Sequence, residues 1–234
     1  MTEYPVPKIF IAAPFGNNVK HPNAISVTGT YTLNPRGNRV LAVLKTLRYR
    51  RKLNGWTNRL GLPNPGIANA KFKRSEVISI AEIERNEFQT LDKRIPKDQS
   101  IELNLSCPNL GKTLPWDYIH NFTKTNREWC IAKLSPLTKP EEIEYLISGG
   151  FKQLHFSNTL PIKYGGLSGP SLIPYTMELI NIVRERWEDV EIIAGGGIQS
   201  SSTIYDYMAA GANHVSLGSV CFNPFKLKKL LSII

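Results

Sequence analysis

Short apolar runs recur along the whole chain and alternate with polar stretches. Most of these runs are almost continuously apolar, which is typical of strands buried on both faces of a parallel sheet. The pattern predicts strands at residues 24–32, 41–49, 76–83, 100–106, 129–135, 152–158, 191–197 and 214–220. Ahead of them, the segment KIFIAAPFGNNVKHPNA contains two more short runs around a Gly-Asn-Asn turn, which predicts an N-terminal β-hairpin.

Helical patterns fill the later gaps between the predicted strands. The segment KPEEIEYLISGG has proline and acidic residues at its start and glycine at its end, as helices do. SLIPYTMELINIVRERW and SSTIYDYMAAGA each keep an apolar stripe at helical spacing. The alternation predicts an α/β fold, a (β/α)8 TIM barrel whose first helical units are abbreviated. Because no linker or repeat divides the sequence, residues 1–234 are expected to form a single domain.

Composition narrows the class of protein. The chain is 41% hydrophobic and 21% charged, which is ordinary for a globular protein. Its three cysteines, Cys107, Cys130 and Cys221, are an odd and widely spaced set, which argues against a disulfide framework or an iron–sulfur cluster and favours a reducing compartment. The start MTEYPVPKIF lacks the layout of a signal peptide, and no apolar run approaches the roughly 18 residues of a membrane span. We therefore expect a cytoplasmic protein without a membrane segment.

The formal net charge of +10 is compatible with nucleic acid or with small anionic molecules as partners. The densest basic segment, KTLRYRRK at residues 45–52, has no aromatic residues interleaved along a repeated basic face. A solvated basic surface explains it better. We predict no nucleic-acid partner.

Polar residues concentrate where the predicted strands end, which is where barrel enzymes carry their active sites. The residues at these ends are Thr28, Gly29, Lys45, Thr46, Asn104 to Asn109, Lys133, Asn158, Thr159, Gly195, Gly196, Gly197, Gly218 and Ser219. Three glycine-rich loops, AGGGI, LGS and YGGLSGP, follow the last three predicted strands. Such loops are either tight turns or a phosphate site, and their succession favours phosphate.

Four motifs, ELNLSCPN, NRLGLPNPG, GGLSGP and AGGGI…GA…LGS, together resemble the dihydroorotate dehydrogenase family. The resemblance implies an FMN-dependent barrel that oxidises dihydroorotate to orotate in pyrimidine biosynthesis. In that family the cysteine of NLSCPN, here Cys107, removes the C5 proton of the substrate, and the C6 hydride passes to flavin N5. The membrane-attached class has serine at this position, so the likeness is to the soluble class.

The resemblance also assigns binding positions, and it implies no metal. The positions that match substrate contacts are Asn58, Leu60, Gly61, Leu62, Asn104, Asn109, Asn158 and Thr159, and the backbone of residues 60–62 would receive the substrate carboxylate. The positions that match FMN contacts are Gly29, Lys45, Thr46, Asn104, Lys133, Ser168, Gly169, Gly196, Gly197, Gly218 and Ser219. Lys45, counted also as catalytic, and Lys133 would stabilise the reduced anionic flavin.

The assignment of Lys45 depends on which segment forms the family's second strand. We place VLKTLRYR there, which keeps Lys45 and Thr46 at the strand end. The alternative, VTGTYTLNPR, puts Gly29 where the family has its flavin lysine. His155 and His214 alternate with apolar residues and are interpreted as packing groups without a role.

Several functional questions stay open at this stage. The substrate could be another dihydropyrimidine or a small cyclic imide, or the chain could be a non-catalytic flavin-binding descendant, since it is shorter than typical members. The electron acceptor could be fumarate, or NAD through an iron–sulfur partner subunit. A homodimer is expected.

Overall fold

The computed structural model describes residues 7–105 and 118–233. Within these residues, parallel strands close into an eight-stranded barrel in which β1 pairs with both the second and the last strand. The barrel strands are β1 (Ile9–Ile11), β2 (Ala24–Tyr31), β5 (Val77–Ile80), β6 (Ile101–Asn104), β7 (Cys130–Leu134), β8 (Gln153–Phe156), β11 (Glu191–Gly195) and β12 (His214–Leu217). The predicted (β/α)8 barrel is confirmed.

A small antiparallel sheet lies over the carboxyl ends of the barrel strands. Its strands, in sheet order, are β3 (Arg48–Arg50), β4 (Gly55–Asn58), β10 (Gly165–Ser168) and β9 (Leu160–Ile162). The first two belong to the connection that follows β2, and the other two to the connection that follows β8. Pairing of Asn58 with Gly166 and of Trp56 with Ser168 joins the two connections across one rim of the barrel.

The helices are α1 (Arg39–Thr46), α2 (Glu87–Arg94), α3 (Pro140–Ser148), α4 (Ile173–Arg184), α5 (Ser201–Ala209) and α6 (Pro224–Leu231). The last four fill the later gaps, and the N-terminus of α3 is fixed where Lys139 N–H donates to Glu142 Oε2 at 2.8 Å. Helices α2 to α6 each bury side chains, whereas α1 buries none. In the described part of the chain, no helix has the length and hydrophobicity that crossing a membrane requires.

The barrel interior changes from apolar to polar along its axis. Near the amino ends of the strands, Phe10 packs edge-on against Trp129 at 5.0 Å between ring centroids, in a cluster with Val27, Val77 and Ile193. One layer nearer the carboxyl ends, the inward side chains are polar or charged. They are Ser79, Glu102, Lys133, His155 and Ser216. The amino end is therefore closed by packing, and chemistry is confined to the other end.

The predicted N-terminal hairpin is wrong. β1 lies parallel to both neighbours in the barrel, and its three residues are almost fully buried. The residues after it form a 3-10 turn at Phe15–Asn17 and lead to β2 without antiparallel pairing. The barrel needs a first strand here because β2 and β12 would otherwise expose unpaired edges.

The predicted strand at residues 41–49 is also wrong. These residues form most of α1 and the start of β3. Asn38 caps the helix, its side-chain oxygen accepting from Leu41 N–H at 3.1 Å, and alanine, leucine and lysine favour helix within it. The second barrel strand is β2, so the alternative alignment, in which Gly29 takes the lysine position, is the one that fits the structure.

Candidate active site

A cavity of about 400 Å³ opens at the carboxyl ends of the barrel strands, beneath the small sheet. Most of the residues predicted from sequence to form the site line it. They are Gly29, Asn58, Leu60, Leu62, Asn104, Lys133, Asn158, Thr159, Ser168, Gly169, Gly196, Gly197, Gly218 and Ser219. Residues far apart in sequence thus meet in one concave site of a size suited to a small ligand.

Three predicted residues do not line the cavity. Lys45 is exposed in the last turn of α1, and the Thr46 hydroxyl donates to the Ala42 carbonyl at 2.8 Å within the same helix. The Gly61 carbonyl accepts from Arg36 Nε at 3.2 Å. The wrong strand assignment explains the first two, and Lys45 loses its predicted catalytic and flavin roles.

Two further predicted residues, the base Cys107 and the substrate amide Asn109, lie outside the described residues. They follow β6, whose last residue is Asn104. Their roles stay predictions.

One end of the cavity, which we call the amide end, is formed by Thr30, Asn58, Asn104, Lys133 and Asn158. Asn158 Nδ2 donates to Asn104 Oδ1 at 2.8 Å, and Asn104 Nδ2 donates to the Thr30 hydroxyl at 3.2 Å. The Thr30 and Ser79 hydroxyls lie 3.0 Å apart. Each amide is thereby held in one orientation before any ligand arrives.

Asn58 comes to the amide end from the small sheet and holds the loop that follows β4. Its Nδ2 donates to the Gly166 carbonyl at 3.4 Å, and its Oδ1 accepts from Leu60 N–H at 3.4 Å. Both Gly61 and Leu62 have positive φ angles, 67° and 56°. The backbone of residues 60–62 is thus turned sharply beside the amides.

A buried charged group supports the amide end from below. Glu102 is fully buried, with Oε1 3.4 Å from Lys133 Nζ and Oε2 2.6 Å from His155 Nδ1. Burial is the largest influence and would raise the pKa of Glu102, but the Lys133 ammonium, His155 and the hydrogen bonds from His155 and Ser79 together outweigh it and lower that pKa to about 2. Glu102 is therefore ionised and balances the charge of Lys133.

His155 is neutral at pH 7, because burial and the nearby Lys133 ammonium lower its pKa. An ionised carboxylate can only accept, so His155 Nδ1 carries the proton and donates to Glu102. Nε2 is left on the side of Gly195, where an added Cβ would lie 3.1 Å from it. His155 lines the cavity, so its interpretation as a packing group alone is incomplete.

A second part of the cavity wall, which we call the glycine end, is formed by Gly195, Gly196, Gly197, Gly218 and Ser219. The Thr176 hydroxyl donates to the Gly195 carbonyl at 2.9 Å, and Tyr207 donates to the Gly196 carbonyl at 2.7 Å. Gly197 has a φ of +75°, and a Cβ there would lie 2.6 Å from Ile173 Cγ1. Only glycine fits this backbone, which can therefore approach a ligand closely.

Two features fit the cavity to a phosphate-bearing flavin. Ser216 Oγ is buried in the cavity wall and has no hydrogen-bond partner among the described residues. A buried hydroxyl without a hydrogen-bond partner lowers the stability of the fold unless a bound ligand supplies that partner. At Gly218, an added Cβ would meet no protein atom within 4 Å, so the backbone borders open space.

The mouth of the cavity carries an aromatic cluster that the sequence pattern did not reveal. Phe222 contacts Trp56 at 4.7 Å and Phe15 at 5.0 Å between ring centroids, and all three rings line the cavity. These residues come from the segments that follow β1, β2 and β12, so no spacing in the sequence predicts the cluster. It gives the mouth an apolar wall suited to a flat ring.

The polar residues of the site that were also missed include Arg39, Glu102 and Ser216. The sequence could have predicted that Glu102 has a charged partner, because an acidic residue inside a strand buried on both faces must be paired. Ser216 alternates with apolar residues on β12 like any core serine. Arg39 opens α1, which the wrong strand assignment concealed.

Comparison with known proteins agrees with this architecture. A family model described as dihydroorotate dehydrogenase matches residues 19–232. A relative from Listeria monocytogenes, named the catalytic subunit of dihydroorotate dehydrogenase B (NAD(+)), is 29% identical over 229 residues, covering 80% of this chain and 74% of the relative. A protein of the same name from Oceanobacillus iheyensis is 30% identical over 209 residues, covering 73% of this chain and 68% of its own length.

The fold likeness extends to solved structures. A crystal structure of DHODH from Eimeria tenella in complex with ferulenol superposes with a TM-score of 0.74 at 18% identity, covering 96% of this chain and 79% of that one. The ligand-free form from the same organism gives a TM-score of 0.71 at 19% identity, covering 88% and 75% of the two chains.

Proposed function

Since the chain belongs to the dihydroorotate dehydrogenase family, an oxidoreductase family of pyrimidine biosynthesis that depends on flavin, we propose that it oxidises dihydroorotate to orotate with FMN. One observation carries the proposal. The amide end and the glycine end, which match the family's substrate and flavin motifs, belong to a single cavity at the carboxyl rim of the barrel.

Substrate recognition falls to the amide end. Dihydroorotate presents ring N–H and C=O groups in one plane, and each asparagine offers a donor and an acceptor. Asn104 and Asn158 are already fixed by their mutual hydrogen bond, and Asn58 lines the same cavity from the small sheet. A planar cyclic imide would therefore be held without reorganising the side chains that bind it.

FMN binding falls to the glycine end and to Lys133. Gly196, Gly197, Gly218 and Ser219 would hold the phosphate, and Ser168 and Gly169 would border the adjoining part of the cofactor. Lys133 would hold positive charge beside the flavin ring, its position fixed by Glu102. FMN, when bound, supplies the acceptor for the C6 hydride of the substrate at its N5 atom.

Proton removal from C5 is assigned to Cys107, three residues beyond Asn104. A thiol serves as a base when its pKa is brought toward neutrality. Cys130 and Cys221 are poor candidates, because burial raises the pKa of each to about 12.

Electron transfer out of the site is assigned to a partner subunit. The relatives from Listeria monocytogenes and Oceanobacillus iheyensis are named catalytic subunits of an NAD(+)-linked enzyme. We therefore favour a separate electron-accepting subunit over fumarate, with the apolar mouth formed by Phe15, Trp56 and Phe222 as its approach to the flavin. A homodimer and a single-domain chain stay predictions.

A second candidate function follows from one difference between this chain and the family's motif. Gly29 takes the place of the family's flavin lysine, and Lys45 does not line the cavity. A site that lacks this cation would suit a neutral dihydropyrimidine such as dihydrouracil.

The decisive test is steady-state oxidation of dihydroorotate and of dihydrouracil by the purified flavoprotein, with fumarate, NAD and an artificial dye as acceptors. Turnover of dihydroorotate with any acceptor supports the proposal, and turnover of dihydrouracil alone supports the second candidate. Cys107→Ala should abolish turnover while FMN stays bound, and Cys130→Ala is the matched control. Unchanged turnover in Cys107→Ala would remove the base assignment.

A further inference from the structure

Arg39 introduces a positive charge into the cavity that the sequence did not place there. It is the first residue of α1, it is half-buried, and it lines the cavity. Its Nη2 donates to the Gly29 carbonyl at 3.3 Å. Gly29 precedes Thr30, the residue whose hydroxyl accepts from Asn104. The guanidinium therefore lies at the Gly29 carbonyl, which also accepts from Asn17 Nδ2 at 2.9 Å, one residue before the amide end begins at Thr30.

The charges around the amide end show what Arg39 contributes. Among the described residues, the lysine and arginine side chains that line the cavity are Lys133 and Arg39. Lys133 is balanced by ionised Glu102, and His155 is neutral. Within residues 7–105 and 118–233, no carboxylate forms an ion pair with Arg39. Among the described residues that line the cavity, Arg39 is thus the cation without a carboxylate partner.

The conformation of Gly29 prevents the barrel strand from supplying a charged side chain at this position. The φ angle of Gly29 is +107°, and a Cβ there would lie 2.5 Å from the Ser79 carbonyl oxygen. A lysine side chain at the position that matches the family's flavin lysine would therefore collide with the next strand. The strand therefore supplies no cation at this position, and α1 brings the Arg39 guanidinium to the Gly29 carbonyl instead.

Arg39 does not stabilise helix α1, so a structural role in the helix does not explain its position. The amino end of a helix carries partial positive charge, so a cation at its first position is unfavourable there. Burial also lowers the pKa of Arg39, the direction that desolvation of a cation produces, although a guanidinium stays protonated at neutral pH. A residue that costs stability in both ways is expected where an anion is bound.

We propose that Arg39 binds the carboxylate of the substrate and makes the site select an anionic dihydropyrimidine over a neutral one. The proposal rests on the proposed function and decides between its two candidates. The ring N–H and C=O groups are bound by Asn58, Asn104 and Asn158, and dihydroorotate and dihydrouracil share these groups. Only dihydroorotate carries a carboxylate. Arginine pairs with carboxylates through two parallel N–H donors, which adds direction to the attraction.

The test measures binding rather than turnover. Orotate and uracil are titrated into the purified flavoprotein by calorimetry, for the unaltered chain and for Arg39→Gln. Orotate affinity should fall about 10- to 100-fold in Arg39→Gln, the loss expected for a charge-assisted hydrogen bond, while uracil affinity stays the same. Arg39→Lys should recover part of the orotate affinity, because it restores the charge but not the planar pair of donors.

The matched control is Lys45→Gln, which removes the same charge from the exposed side of the same helix. It should leave orotate affinity unchanged. Equal orotate affinity in Arg39→Gln and the unaltered chain would overturn the proposal, and so would an equal loss of orotate and uracil affinity, which would indicate a general disturbance of the site.

Failure of the proposed function gives a different result. If the unaltered flavoprotein binds orotate through Arg39 but does not oxidise dihydroorotate, the carboxylate assignment stands and the activity is wrong. If it binds uracil but not orotate, the carboxylate assignment is overturned. Arg39→Lys keeps the test usable if Arg39→Gln does not fold.

Discussion

The amide end and the glycine end of the cavity hold their shape by different means. At the amide end, side chains fix one another through a chain of hydrogen bonds that reaches from Asn158 through Asn104 and Thr30 to Ser79, above the buried Glu102. At the glycine end, the backbone itself forms the wall of the cavity. It is held by crowding around Gly197 and by hydroxyl donors to the Gly195 and Gly196 carbonyls.

The difference indicates how each end responds to substitution. Loss of a polar partner at the amide end leaves a buried charge or hydrogen-bonding group without compensation, so the cost falls on the stability of the whole chain. Addition of atoms at the glycine end moves backbone that would contact the cofactor, so the cost falls on cofactor binding. Predictions that separate stability from cofactor affinity therefore test the comparison.

The largest effect is expected for Glu102→Gln. It removes the buried carboxylate that lies 3.4 Å from the Lys133 ammonium, which should lower the free energy of unfolding by about 3–5 kcal/mol in denaturant titration. The double variant Glu102→Gln/Lys133→Met should recover much of this loss, because no charge then stays buried. Glu128→Gln, which breaks an exposed pair with Lys8, is the control and should cost less than about 1 kcal/mol. A similar small loss in Glu102→Gln would contradict the account of the amide end.

The next effect is expected for Gly197→Ala at the glycine end. Positive φ and the nearby Ile173 force the backbone to move, so FMN affinity should fall by about tenfold, the equivalent of roughly 1–2 kcal/mol of left-handed strain. Fluorescence titration of released FMN measures it. Gly211→Ala has a similarly positive φ, +109°, outside the cavity, and should lose stability while keeping its FMN affinity. Equal FMN affinities in the two variants would remove the glycine end as the cofactor site.

A smaller effect is expected from pH through His155. Its pKa is lowered from the ordinary value of 6.5 by burial and by Lys133, so the unfolded chain takes up a proton below that value and the folded chain does not. The stability of the folded chain should fall as the pH decreases from about 7 to about 5. His155→Gln should reduce that slope by up to about 1.4 kcal/mol per pH unit, measured by denaturant titration.

The low pKa of Glu102 affects stability in a separate pH range, because the stabilisation it gives is lost only as the pH falls from 4.5 toward about 2. Equal slopes for the two chains between about pH 7 and 5 would mean that His155 is not held neutral.

The smallest effect is expected for Ser216→Ala, with opposite signs in two measurements. Removal of a buried hydroxyl without a partner should raise the thermal stability of the FMN-free chain slightly. If that hydroxyl donates to the cofactor, FMN affinity should fall by a few-fold, or about 1 kcal/mol. A loss of stability without change in FMN affinity would mean that the hydroxyl serves the barrel alone.

The sequence predicted the second part of the barrel well and the first part poorly. In β6, β7, β8, β11 and β12, apolar runs have asparagine, lysine or glycine at or just beyond their ends, so both the strands and the cavity-lining residues could be predicted directly. In the first part, β1 has only three residues, and the turn after it imitates a hairpin. The apolar run at residues 40–47 is a capped helix whose apolar side chains Val40, Leu41 and Leu44 are exposed, contrary to the usual rule that such runs are buried.

The site shows the same division. Asn104, Asn158 and Lys133 end strands, so the fold class alone predicts that they meet. Arg39 could not be found in this way, because it reaches the cavity from a helix inside a connection and donates to the carbonyl of Gly29, which has no side chain. Local pattern thus predicts residues fixed by the strands, and it misses residues that arrive from the connections.

The central claim is that the two ends of this cavity hold a flavin and an anionic dihydropyrimidine against each other. Anaerobic addition of dihydroorotate to the purified flavoprotein tests it most directly, because the visible absorbance of oxidised flavin is lost when the substrate reduces it. We predict loss of this absorbance in proportion to the dihydroorotate added, and none with dihydrouracil. Flavin absorbance that dithionite abolishes but dihydroorotate leaves unchanged would contradict the account.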